Sequence, residues 1–225
     1  MNLLIDAIDW LRDPAQWTGS AHLGGLLWQH VWVTLLAVAI AVVIAVPAGW
    51  AIGHTGRGRE IAVALTGAAR AVPSYGLLVL LVLVMGVLQR TEAALITFVI
   101  LAIPPLLAGA YTGFEAIDRS TINAARSMGM TEWQLLWRVE VPLGLPLLVG
   151  GIRAAVLQVV ATVTIAAYVG LGGLGLPIIT GLNLRRYDMV LGGALLVAAL
   201  ALVLDGLLAV AQRTAVPRGV RSRQV

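Results

Sequence analysis

The chain has 225 residues, of which 60% are hydrophobic and 12% charged, whereas a soluble domain averages about 45–50% apolar and about 25% charged. It contains no cysteine, which excludes disulfides and thiolate chemistry, and all 15 cationic side chains are Arg, giving a net charge of +4. This basic balance does not indicate nucleic acid: no stripe of Arg interleaves with aromatics, and Arg beside apolar runs is what positive-inside sorting leaves next to membrane helices.

The apolar excess is gathered into runs long enough to cross a bilayer, which takes roughly 20 residues of helix. One membrane domain uses up the length, so an all-α polytopic membrane protein with no second folded domain is expected. Residues 1–25 read as an extracytoplasmic or interfacial segment. Asp6, Asp9 and Asp13 make it acidic where a cleavable signal would be basic. Residues 2–12 predict a short amphipathic helix with Leu3, Leu4, Ile8 and Leu11 on one face, lying at the membrane surface.

The domain proper is expected over residues 26–211, with about five spans. The first is Leu26 to Ile52, ended by the short basic turn Gly53 to Arg59. The second, about Glu60 to Leu88, is too long for an untilted helix and carries Pro73, which should kink or break it. The third, about Ala93 to Ala110, is interrupted by Pro104-Pro105. The fourth is about Leu147 to Tyr168, followed by the glycine-rich turn Gly170 to Gly175. The fifth is about Met189 to Ala211, with a basic tail at 212–225.

Arg57, Arg59, Arg119, Arg126, Arg138, Arg213, Arg218, Arg221 and Arg223 fall on one side of this alternation, and Arg12, Arg90, Arg185 and Arg186 on the other. The first set is therefore expected to be cytoplasmic, with the N-terminus outside and the C-terminus inside. Three charges remain within spans, where a charge is expensive and needs a partner or a wet cavity. Arg153 either snorkels to the interface or finds such surroundings. Arg70, three residues before Pro73, either faces a pore or serves carbonyls freed at the break. Asp205 is open to pairing with an Arg that the sequence does not identify.

The polar stretch 113–146 carries the most information. Asp118 or Ser120 caps a short helix, and Ala124 and Ala125 give it a small-residue face. Gly129 supplies a left-handed end. Thr131-Glu132-Trp133-Gln134 has the spacing of a capping box and opens a second helix. Trp133, Leu136, Trp137 and Val139 are expected on its apolar side, and Pro142 and Pro146 are expected to end it. Two physical readings stay open. This is either a rigid lever for another protein's cleft or an amphipathic loop resting on the membrane.

Asn123-Ala124-Ala125, Gly129 and Val139-Glu140-Val141-Pro142 resemble the EAA loop of binding-protein-dependent ABC importer permeases, with the same spacing. That pattern is Glu-Ala-Ala, three residues, Gly, nine residues, then Ile-x-Leu-Pro. Val139 and Val141 are conservative departures, whereas Asn123 replaces the usual Glu and removes a charge. Ala71-Val72-Pro73-Ser74, Gly151-Ile152-Arg153 and Gly170 to Gly175 are similar to stretches of osmoprotectant permeases, in which Gln commonly stands where Arg70 does here. The resemblance implies a MetI-like ABC permease fold. It also implies an importer for glycine betaine, choline, carnitine or proline. The implied partners are two copies of an ABC ATPase subunit, a second permease chain, identical or homologous, and an extracytoplasmic substrate-binding protein.

On this reading Asn123, Ala124, Ala125, Gly129, Met130, Glu132, Trp133 and Trp137 couple to the ATPase. Arg70, Pro73, Ser74, Tyr75, Tyr168, Gly172 and Gly173 belong to the substrate path. Aromatic faces suit a quaternary ammonium, and Arg70 favours a zwitterion whose carboxylate pairs with it. The chain is expected to bind no metal or cofactor, with ATP-Mg held by the partner ATPase. His22, His30 and His54 are placed at or outside span ends. Ser74 has no nearby His, and neither Gly-x-Ser-x-Gly nor a Walker loop occurs, so no catalytic group is expected. Importers of methionine or nitrate/taurine and a channel without ATP coupling are the alternatives.

Overall fold

The computed structural model describes residues 2–19 and 22–215, except for the side chains of Leu65, Ala69, Arg70 and Ala215. Ten α-helices occur among the described residues. They are α1 (Leu3–Arg12), α2 (Leu23–Thr55), α3 (Arg59–Ala71), α4 (Ser74–Met85), α5 (Arg90–Glu115), α6 (Arg119–Ser127), α7 (Glu132–Leu135), α8 (Val141–Ala166), α9 (Gly175–Leu184) and α10 (Tyr187–Ala215). Four helical stretches are long and apolar enough to cross a membrane: Leu23–Thr55, Val87–Glu115, Glu132–Val169 and Tyr187–Thr214. Only 6% of the most apolar window of the last is buried, so lipid or another chain must cover its surface.

The expected second span is not one helix. Pro73 sits between α3 and α4 with an extended backbone, φ −63° and ψ 115°. Neither piece is long enough to span alone, and Val72 and Tyr75 on either side of the break are exposed. Little packing is present there to offset the lost hydrogen bond and the ring clash. Pro104-Pro105 behaves otherwise. The expected interruption does not occur, and α5 runs through both prolines. Leu101, Ala102, Leu106 and Leu107 around them are all buried. Close backbone contact holds this stretch: a Cβ on Gly109 would lie 2.9 Å from the Gly151 Cα, and one on Gly113 would lie 2.8 Å from the Gly144 carbonyl oxygen. Small residues that let helix backbones meet are the usual device of membrane bundles.

The chain forms two compact units. One comprises residues Met1–Ala39, Val72–Leu101 and Val156–Leu204. Its interior holds Leu78, Phe98, Val159, Val163 and Leu174, all fully buried. Helix α1 belongs to it and forms as expected. Its buried side chains are Ala7 and Trp10, with Trp10 against Gly192 of α10, while Leu3, Leu4 and Ile8 stay exposed on an apolar face.

The other unit comprises Ile40–Ala71, Ala102–Ala155 and Asp205–Val225. Val46, Ala110 and Leu148 form its core with Val42, Trp50, Leu145 and Ile152 against them. The tail expected at 212–225 begins as the end of α10, and residues 216–225 lie outside the described part of the chain.

Candidate functional site

The 113–146 loop is built largely from local bonds. Asp118 caps α6 by accepting the Ser120 N–H at 2.8 Å. At the far end Gly129 takes φ +83°. The Met130 N–H then donates to the Ala125 carbonyl at 3.3 Å and the Gly129 N–H to that of Arg126 at 2.9 Å. This pair of bonds is the Schellman closure that a left-handed residue after a helix makes possible. The capping box forms as the spacing predicts. The Gln134 N–H donates to Thr131 Oγ1 at 3.3 Å, and the Thr131 N–H to Gln134 Oε1 at 3.0 Å. Arg126 and Glu132 make a two-pronged ion pair, both contacts at 3.0 Å. The Glu132 carboxylate raises the Arg126 guanidinium above its ordinary value.

Ile122, Ala125 and Leu135 form a small core beneath these bonds, with Ile117, Met130 and Val139 against it. Two expectations are corrected here. The second helix is not ended by Pro142 and Pro146. A π turn over Leu136–Glu140 joins α7 to α8, so helix continues from Glu132 into the span with Pro146 inside it. The Val141 N–H reaches back to Leu136. Pro142 has no N–H for the Arg138 carbonyl, and a wider turn absorbs that gap. The buried face also differs from the expected one. Leu135 and Glu140 are buried, while Trp133 and Trp137, expected on the apolar side, are 68% and 46% exposed.

Those tryptophans are not isolated. Trp133 meets Trp137 edge-on at 5.6 Å, Trp137 meets Trp50 of α2 at 5.7 Å, and Trp50 stacks on Phe114 of α5 at 6.1 Å. Asn123 and Ala124 face outward on α6. A largely apolar groove of about 490 Å³ runs beside them, lined by Ala124, Ala125, Met128, Met130 and Val139 among others.

Of the expected path residues, Pro73, Ser74, Tyr75, Tyr168, Gly172 and Gly173 belong to the first unit, and Arg70 to the second. Tyr75 and Tyr168 meet edge-on at 5.8 Å, and both are about half exposed. Ser74 opens α4 directly after Pro73. The side chain of Arg70 lies outside the described residues. Gly172 and Gly173 take φ +91° and +68° and lie against Gln29 and His30. Gln29 donates to the Leu171 carbonyl at 2.6 Å and accepts the Gly173 N–H at 3.1 Å. His30 is fully buried rather than at a span end. Its Nδ1 accepts the Leu174 N–H at 3.2 Å, so Nε2 carries the proton towards the Val160 carbonyl at 3.1 Å. The sequence reading missed this clamp. Its only signal was a Gln-His pair standing inside an apolar run.

Two of the intramembrane charges, Arg153 and Asp205, find each other. Arg153 grips Asp205 with two hydrogen bonds, at 2.9 and 2.8 Å, and donates to Gln212 at 2.8 Å. Arg153 therefore does not simply snorkel, and Asp205 has the partner left open by the sequence. No cluster of His, Cys, Asp and Glu suited to a metal occurs among the described residues.

Apolar spans around a self-capped helical loop define a polytopic membrane transport subunit. A family model described as "Binding-protein-dependent transport system inner membrane component" matches residues 37–218, and the chain belongs to that family. It is 36% identical over 194 residues to a carnitine transport permease protein, OpuCB, of Listeria monocytogenes, covering 86% of this chain and 88% of that one. It is 34% identical over 223 residues to the osmoprotectant import permease protein OsmW of Salmonella typhimurium, covering 96% and 100%. A solved structure of the MetNI methionine ABC transporter, inward facing, superposes with a TM-score of 0.75 at 23% identity, covering 91% of this chain and 99% of that one. At that identity the likeness concerns the fold. The chain is a membrane-embedded permease component, and the importer reading of its loop fits this family.

Proposed function

We propose that this permease forms the path of an ATP-driven importer for osmoprotectants of the glycine betaine, carnitine, choline or proline class. The relatives named for carnitine and osmoprotectant import support that class. The observation that carries the mechanism is the loop: a self-capped helix–glycine–helix whose second helix continues without a break into α8. A push on α7 is thereby a push on a span. Two permease chains surround the path, each loop docks on one ATPase subunit, and a binding protein delivers solute outside. ATP-Mg is bound and hydrolysed by the partner, and this chain contributes no catalytic group. ATP moves the spans only because it binds one conformation more tightly than the other.

Asn123, Ala124, Ala125, Gly129, Met130, Glu132, Trp133 and Trp137 form the docking face. The exposed indole of Trp133 inserts into the ATPase, and the ring contacts through Trp137 and Trp50 carry the load inward. Loops 53–59 and 113–146 and the C-terminus are cytoplasmic, and the N-terminus is outside. Tyr75 and Tyr168 offer ring faces to a quaternary ammonium beside the Pro73 break, with Ser74, Gly172 and Gly173 nearby in sequence and Arg70 selecting zwitterions.

The test is reconstitution with its ATPase and binding protein in vesicles. ATP-dependent uptake of labelled glycine betaine, carnitine or choline is expected, with methionine and taurine as controls. Uptake of a control solute alone sinks the substrate class. Conduction without any ATPase sinks the importer reading.

A further inference from the structure

We propose that His54 is a positioning residue for energy coupling, the second arm through which the loop moves the bundle. This rests on reading residues 113–146 as the coupling loop. Helix α8 needs no such arm, since it is continuous with α7. Helix α2 has no covalent link to the loop and must be reached by side chains.

Two side chains at the end of α2 make that reach. Trp50 and His54 are four residues apart, which puts them on one helix face. Trp50 meets Trp137 edge-on at 5.7 Å. His54 Nδ1 lies 2.5 Å from Glu140 Oε2, and its Nε2 lies 3.5 Å from Glu132 Oε2. One imidazole thus holds the first residue of α7 and the last residue of the π turn. Each ring nitrogen faces a carboxyl oxygen, so the one side chain links both acidic residues at once.

Glu140 is the buried acidic residue among the described ones, 5% exposed. A carboxylate that leaves water needs a partner, and removing the partner is costly. Glu140 occupies the unspecified position of the Ile-x-Leu-Pro pattern, so the loop's general architecture does not demand it. Asn123 meanwhile lacks the acidic group usual at its own position. Glu132 pairs with Arg126 and His54, and Glu140 with His54, all within this chain.

The surroundings leave room for movement. A cavity of about 410 Å³ adjoins the cluster, lined by His54, Arg59, Glu115, Arg119 and Glu140 among others. Arg59 of α3 is held by Glu115 at 2.8 Å, and His54 supplies a polar tie from α2 to the loop helix beside the aromatic one at Trp50. A polar tie beside an open cavity can shift with the loop where a packed apolar contact would resist.

The experiment uses the assembled transporter in vesicles and reads solute moved per ATP hydrolysed, with co-purification of the ATPase as a parallel measurement. His54→Ala is expected to lower that ratio about fivefold or more, the lower end of ordinary coupling energies, while the ATPase still co-purifies. His54→Arg, which keeps N–H donors, is expected to restore most of it. Because His54→Ala leaves Glu140 buried and unpaired, the double variant His54→Gln/Glu140→Gln serves as the second arm. It is expected to insert normally and to be no worse than His54→Gln alone, as two members of one interaction should behave. An unchanged ratio in His54→Ala, or additive losses in the double variant, overturns the inference. Loss of ATPase co-purification from wild-type membranes would instead remove the coupling-loop reading on which it stands.

Discussion

Two glycine turns follow helices in this molecule, both begin with Schellman bonds, and they differ in what holds the rest. The turn at Gly129 is closed from within: its Schellman bonds, its capping box and the Arg126–Glu132 pair all join residues 125 to 134. The turn at 170–175 opens with a Schellman pair of its own, Gly170 N–H to Ala167 and Leu171 N–H to Ala166, but its glycines are also tied from outside, by Gln29 and His30 of α2, whose bonds to it span more than 140 residues of chain. The difference has a mechanical consequence. A turn that satisfies its own backbone can travel as a body without exposing polar groups. One tied to a neighbouring helix can move only if buried hydrogen bonds break, each of which costs about 1–3 kcal/mol when a group is left unpaired. The first suits a lever and the second a fixed mount.

The strongest test of the fixed mount is Gly175→Ala. A Cβ there overlaps the Thr164 carbonyl oxygen and lies 2.9 Å from the Ala167 Cβ. Backbone cannot step aside as a flexible side chain does, so a loss of about 3 kcal/mol is expected, the upper part of the usual overpacking range. Thermal melting of the detergent-purified permease measures it. Melting at the wild-type temperature would show that this turn is not tightly held and would remove the contrast. Next in size is His30→Ala. It orphans the Leu174 N–H, whereas the Val160 carbonyl keeps the Thr164 hydroxyl at 3.0 Å. With one buried donor unpaired, a loss of about 2 kcal/mol is expected, and trypsin or hydrogen-exchange protection of the 170–175 backbone should fall with it.

The same contrast explains what could be read in advance. Caps are local, so Asp118, Gly129 and the Thr131–Gln134 box were legible as spacings of three to ten residues. The clamp was not, because nothing in residues 170–175 names a partner near residue 29. The Arg153–Asp205 pair failed for the same reason: the need for a partner was evident, but its identity lay 52 residues away. Pro73 was read correctly and Pro104-Pro105 was not, because packing decides. Pro73 breaks its helix among exposed neighbours, whereas Pro104-Pro105 is carried through by buried residues and by the Gly109–Gly151 contact. The buried side of the second loop helix starts at Leu135 rather than Trp133, and a π turn whose only trace in sequence is Pro142 brings Glu140 to it. Leu135 and Glu140 were missed accordingly.

On the lever, Gly129→Ala should act through conformation alone. Its φ is +83° and nothing lies within 4 Å of where a Cβ would stand. The left-handed conformation costs an L-residue roughly 1–2 kcal/mol, so about 1 kcal/mol is expected here, less than for either change in the mount. Gly129→Asn should recover part of that loss, since Asn tolerates this region better than Ala. Melting checks the ordering. An Asn variant less stable than the Ala variant would mean that steric contact, not backbone conformation, sets the requirement.

The smallest effect belongs to Arg126→Gln. The pair with Glu132 has good geometry, but its side chains are 47% and 58% exposed, and exposed pairs contribute little to stability and are screened by salt. The Schellman bonds, the capping box and the Ile122–Ala125–Leu135 core remain without it. The melting temperature is therefore expected to match wild type at low and high salt alike. The loop's orientation is another matter, because Glu132 also faces His54 at 3.5 Å and would lose its stronger neighbour. A fall in solute moved per ATP at unchanged melting would assign Arg126 to aiming the lever rather than building it. A drop in melting as large as that of His30→Ala would mean that the loop depends on this single tie as the other turn depends on its clamp, and the two turns would no longer differ in kind.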